Sequence, residues 1–209
     1  MDKQTYKYIK EKSIVYGIED QYSLSKNEYY MLYSFFVTYS MCPNQSGKSK
    51  DFVDYGWDDN VLVRNINGKQ QSTDLYLALK NVLDLDKNKN FVFTDKNELK
   101  EKFISLDLGD GILHNFDTER AVIGKTNAAN KYLKLFYRIR DGFAHGNFKL
   151  VFSSNNEKTV VIQDNSNANV TGRIVIKLST LLGFVNAVDK NNMLSDNRKI
   201  NFKDNTKVA

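Results

Sequence analysis

Residues 127–148 read NAANKYLKLFYRIRDGFAHGNF, and the periodicity of the chain changes inside them. Tyr132, Phe136, Ile139 and Phe143 recur at i, i+4, i+7 and i+11, the spacing of one face of an α-helix. Lys131, Lys134, Arg138, Asp141 and His145 lie opposite at helical spacing, a basic strip that ends in an imidazole. Gly146 follows at once, and glycine takes the left-handed conformation in which helices stop. Arg140, Asp141 and His145 therefore fall in the last turns of an amphipathic helix, and Asn147-Phe148 open an extended segment.

Downstream, Phe148, Leu150 and Phe152 alternate with polar neighbours, and Val160-Val-Ile162 answers them across residues 153–158, a β-hairpin pattern. The asparagine- and serine-rich residues 164–172 read as a mobile loop. Arg173-Ile-Val-Ile176 leads into a last helix carrying Leu178, Leu181, Leu182, Val185 and Val188. Upstream, Ser25-Lys-Asn-Glu28 is a capping box. Tyr29, Leu32, Phe36 and Tyr39 follow as an apolar stripe that Pro43 ends. Thr73 or Asp74 caps a helix over 75–83, Phe91-Val-Phe93 is extended, and Asp95-Lys-Asn-Glu98 is a second helix start. Asp117-Thr118 opens a helical segment leading toward the central helix. Tyr6, Tyr8 and Ile9 are expected to pack on the body. The fold expected is mainly α: a single domain over 1–209, a helical bundle with a β-hairpin inserted before its last helix. Its parts are N-terminal helices and loops (1–115), the motif helix, hairpin and final helix (116–190), and a polar tail (191–209).

The composition, 41% hydrophobic and 26% charged, is ordinary for a globular chain. Lysine plus arginine exceed aspartate plus glutamate by 30 to 25, a net +5 that suits a polyanionic partner without demanding one. One cysteine, Cys42, excludes an internal disulfide and a cysteine-rich zinc site. That usage reads as a cytoplasmic compartment. No apolar run reaches the roughly 18 residues of a membrane span, and MDKQTYKYIKEK has no signal-peptide core.

Ile139-Arg-Asp-Gly-Phe-Ala-His-Gly146, on a helix end followed by a strand, resembles the HEPN superfamily. That superfamily's signature is arginine, a polar residue, three variable residues and histidine. The likeness is greatest to its prokaryotic toxin and abortive-infection branch and is tight over 131–148. It implies an all-α bundle that dimerises and cuts RNA without a metal or cofactor. On this chain it makes Arg140 and His145 the active pair with Asp141 beside them. Lys131, Lys134, Arg138 and Asn147 then become RNA contacts, and an antitoxin or regulatory partner is expected. The chemistry agrees: attack of a ribose 2′-hydroxyl on its own phosphate needs proton transfer, which imidazole supplies, and charge stabilisation, which guanidinium supplies. Five residues along a helix turn about 500°, so Arg140 and His145 point about 140° apart. Either the chain leaves the helix between them, at Gly142 or near Gly146, or a homodimer brings residues of two copies together.

Blander readings compete. Asp141 and His145 are i, i+4 neighbours on a helix surface, and the lysines and Arg138 fit a solvated face. A non-catalytic RNA-, nucleotide- or protein-binding module is the alternative function, and a subunit modified by a partner enzyme is a third. Asn44-Gln-Ser-Gly-Lys-Ser49 lacks the leading glycine of a phosphate-binding loop. Asp58-Asp59 and Asp107/Asp110 have no histidine support for a metal, and His114 stands alone. The tyrosines at 29, 30, 33 and 39 have helical spacing and read mostly as core.

Overall fold

The computed structural model describes residues 24–41, 47–58, 63–67, 69–83, 90–109, 115–125, 131–166 and 169–194. The expectations for Tyr6, Tyr8, Ile9, Cys42, Pro43, Asp110, His114, the tail beyond 194 and the side chain of Lys131 lie outside the described residues.

The centre is a five-stranded mixed sheet, and a mainly helical bundle is therefore not the fold; the chain is α/β. Two small strands come first, β1 (Val63–Ile66) and β2 (Lys69–Ser72), and form a separate antiparallel pair. The main sheet contains β3 (Phe91–Thr94), β4 (Arg120–Gly124), β5 (Phe148–Phe152), β6 (Lys158–Ser166) and β7 (Asn169–Lys177). Its order is β3-β4-β7-β6-β5, with β3 parallel to β4 and every other pair antiparallel.

The expected hairpin is present as β5 and β6, with Phe148 opposite Ile162 and Leu150 opposite Val160. Two expectations fail beside it. Residues 117–124 hold no helix: Arg120–Gly124 is an interior strand buried along its whole length. The supposed loop 164–172 supplies the end of β6 and the start of β7 on either side of residues 167–168. A strand covered on both faces is a short apolar run without period-two alternation, so Ala121-Val-Ile123 and Ile174-Val-Ile176 carried no strand signal of their own.

One face of the sheet bears Phe91, Ala121, Ile123, Val160, Ile162, Ile174 and Ile176, covered by helices. These are α1 (Lys26–Tyr33), which continues as a π-helical turn over Ser34–Thr38, α2 (Asp74–Val82), α4 (Lys131–Ala144) and α5 (Leu178–Val188). The Ser25 hydroxyl accepts from the Glu28 N–H, and the Glu28 carboxylate accepts from the Ser25 N–H, so the capping box starts α1 as expected. Thr73 caps α2 by accepting from the Tyr76 N–H. The π-helical turn buries adjacent Phe35 and Phe36; Phe36 stacks on Phe143 at 5.7 Å, and Phe35 meets Phe136 edge-on. The opposite face, Val122, Val151, Val161 and Val175, lies under α3 (Leu99–Ser105) through Leu99 and Phe103. A 3-10 turn, Lys96–Glu98, leads into α3, and Asp95 makes no side-chain cap there.

Residues 191–194, the start of the expected polar tail, are tied down. Both oxygens of the Asp189 carboxylate accept backbone N–H groups, of Met193 and Leu194, and Leu194 is buried. Among the described residues no helix is long and apolar enough to cross a membrane.

Candidate functional site at the end of α4

Helix α4 lies against β6 because its apolar stripe is buried without gaps: Tyr132, Leu135, Phe136, Ile139 and Phe143 are all within the core. Gly142 sets the closeness of approach. A Cβ there would stand 2.3 Å from Ile162 Cγ2, so any larger residue would push the helix off the strand. Gly142 is therefore a packing residue inside a regular helix and not a point where the chain departs from it.

The helix stops three residues later. The Asn147 N–H donates to the Gly142 carbonyl and the Gly146 N–H to the Phe143 carbonyl, with Gly146 at φ +67°. This is the Schellman arrangement, and it needs a left-handed residue at Gly146. His145 occupies the C-cap position and its side chain is exposed. Asn147 is held by its backbone, since its carbonyl accepts from the Gln163 N–H on β6.

The basic strip divides along the helix. Lys134 and Arg138, expected on an exposed face, are 8% and 9% exposed. Helix α4 turns them onto the sheet at the junction of β6 and β7. There the Arg138 guanidinium donates to the Asp164 carboxylate, which also accepts from the Thr171 hydroxyl. The Arg138 stem packs over Gly172, where a Cβ would be in ordinary contact, 3.7 Å from Arg138 Cγ. Burial raises the Asp164 carboxyl above the ordinary carboxylate range; Arg138, Thr171 and Lys134 pull it down, and the nearby Asp141 charge adds to the rise.

Arg140 has a different setting. Its Nη1 donates to Asp141 Oδ1 at 2.8 Å, with the side chains 19% and 29% exposed. Asp141 is thereby engaged with the arginine beside it. The Nε of Arg140 is buried and has no hydrogen-bond partner among the described residues, and the same holds for Arg138 Nε and Asn165 Nδ2. Unsatisfied buried donors are rare in proteins and are met by water or by an oxyanion. The end of α4 thus combines a partly exposed guanidinium fixed by a carboxylate and an exposed histidine.

Sequence reasoning brought Arg140, Asp141 and His145 to one helix end, and there the structure has them. It missed Asp164 and Thr171. A signal was present: Asp164 continues the alternation Val160, Ile162 and so belongs on the helix-facing side of the strand. Because α4 is regular through Ala144, Arg140 and His145 leave its axis about 140° apart. Among the described residues no group of three or more histidine, cysteine, aspartate or glutamate side chains is placed to hold a metal ion. No family model, curated protein or solved structure matches the chain.

Proposed function

We propose that the end of α4 is the active site of a metal-independent endoribonuclease, a cytoplasmic toxin or antiviral effector of HEPN type. The observation that carries this reading is the partly exposed Arg140–Asp141 pair on the same helix end as an exposed His145. The likeness to the HEPN superfamily rests on that motif and on the strand after it; the sheet departs from the all-α bundle the superfamily implies.

An imidazole takes the proton from a ribose 2′-hydroxyl, and the freed oxygen attacks the adjacent phosphorus. The P–O5′ bond breaks, the departing 5′-oxygen receives a proton, and a 2′,3′-cyclic phosphate and a 5′-hydroxyl result. Arg140 carries the growing negative charge on the phosphoryl oxygens through its planar fork of donors, and Asp141 positions that fork. A single α4 aims Arg140 and His145 in different directions, so the site is completed by a second copy related by a two-fold axis. Two such sites form per dimer, each pairing Arg140 of one copy with His145 of the other. An antitoxin or regulatory partner restrains the activity.

The same divergence favours a second reading, a phosphate- or RNA-binding module without catalysis. Incubation of the purified protein with total RNA in EDTA, with the new ends mapped, separates the two. Wild type is expected to leave 2′,3′-cyclic phosphates and 5′-hydroxyls while His145→Ala leaves the RNA intact. Binding without new ends would establish the second reading, and equal cleavage by His145→Ala would remove His145 from the site.

A further inference from the structure

Among the described residues five large hydrophobic side chains are exposed, and Tyr29, at 51%, is the aromatic one. The helical spacing of Tyr29 suggested core, yet the residue is half exposed. Its ring stacks on Tyr33 with centroids 4.2 Å apart and the planes 25° from parallel. Tyr33 in turn meets Phe143 edge-on at 5.7 Å and Phe148 at 6.3 Å. Phe143 and Phe148 bracket the Ala144–Asn147 turn that presents His145, and their own rings are 4.6 Å apart. A continuous line of ring contacts therefore runs from the turn that presents His145 to the half-exposed Tyr29. The platform is anchored: Glu28, in the first turn of α1, accepts from Lys158 Nζ on β6 at 2.9 Å, and burial is outweighed by this contact and the Ser25 bonds in holding the Glu28 carboxyl low.

We infer that Tyr29, backed by Tyr33, is a stacking subsite for one base of the RNA that flanks the phosphate cut at His145. This rests on the ribonuclease reading above. A flat ring already paired on one side offers its other side to a second flat π-system at little ordering cost, and any base fits, since every base has such a face. A protein partner would instead want a contiguous apolar patch, and Tyr29 has the hydroxyl-bearing edge of a phenol and charged neighbours, Lys26 and Glu28, along its helix. Stacking of this kind selects for affinity and leaves the chemistry at the phosphate unchanged.

The test uses a fluorescein-labelled oligouridylate, 2′-O-methylated throughout so that it binds without being cut, alongside a cleavable RNA of the same sequence. Tyr29→Ala is expected to weaken binding of the methylated strand by roughly 5- to 100-fold. It should raise KM on the cleavable strand with kcat held, and Tyr29→Phe should restore both. His145→Ala is expected to do the reverse, losing kcat while binding as wild type does. If wild type cuts and Tyr29→Ala binds within about twofold of it, the subsite is refuted and the nuclease reading stands. If wild type binds through Tyr29 but cuts nothing, the subsite stands and the nuclease reading falls. Absence of both binding and cutting overturns both.

Discussion

Arg138 and Arg140 lie two residues apart on one helix and have opposite surroundings. Arg138 is turned onto the sheet, 9% exposed, and spends its charge on Asp164, a carboxylate held by Thr171 within the fold. Arg140 reaches sideways to Asp141, and both remain partly open to solvent. The first pair joins α4 to the β6–β7 end of the sheet; the second is free to meet a ligand. Helical spacing puts Arg138 in one strip with Lys134, Asp141 and His145 and leaves Arg140, about 200° round the helix, off it; the depth of the partner carboxylate separates the buried pair from the partly exposed one.

Substitutions sharpen this contrast. The largest effect is expected on activity: His145→Ala and Arg140→Ala should each lower RNA cleavage by roughly 100-fold or more, with unfolding midpoints close to wild type. Arg138→Met should act the other way, through stability. Removing one partner of a buried pair leaves the other charge uncompensated and costs about 3–5 kcal/mol, read by urea unfolding at neutral pH. The loss should shrink in acid. The Asp164 carboxyl is raised in the folded state, so the native protein holds that proton more tightly than the unfolded chain does. The stability owed to this group therefore falls as pH rises from the ordinary carboxylate range through the raised value. Without Arg138 the Asp164 carboxyl is raised further, so the fall in stability extends to higher pH and only protonation of Asp164 relieves it. A loss that is the same at acid and neutral pH would contradict the assignment of Arg138 to Asp164.

Smaller still is the effect of the contact that sets α4 on the sheet. Gly142→Ala places a methyl group 2.3 Å from Ile162 Cγ2 and should cost about 1–3 kcal/mol by overpacking, despite the better helix propensity of alanine. Unfolding curves check it, and a neutral or stabilising result would mean that Ile162 gives way. Gly146→Ala meets nothing within 4 Å, so only its positive φ opposes it, about 1 kcal/mol.

The comparison also explains what could be read from the chain in advance. Local chemistry and elements with one wet face declared themselves: the Ser25–Glu28 box and the Thr73 cap by their residues, the α4 stripe, α5 and the edge strand β5 by a period of 3.6 or 2. Interior strands β4 and β7 did not, because they are covered on both faces and lose the alternation that marks a strand; β6, covered likewise, was found only through its β5 partner. The polar residues near 164–172 misled for a related reason. Asp164 and Thr171 look like loop chemistry until Arg138, 26 residues before Asp164, arrives to satisfy them. Arg173, 1% exposed, is a further case: it lies over the Phe103 ring and donates to the Leu108 carbonyl on the far face of the sheet. The motif Arg140-Asp141 with His145 was legible because it is local. The sorting of its neighbours into structural and functional charges required the sheet.

Central to the proposed site is that α4 in one chain aims Arg140 and His145 about 140° apart, so that completing it calls for a second copy. Mixing the two inactive variants, Arg140→Ala and His145→Ala, under conditions that let copies exchange tests this directly. Heterodimers then hold one site with both residues intact, and cleavage should return to about a quarter of the wild-type rate. A mixture as inactive as either variant alone, with exchange confirmed by mass, would contradict it.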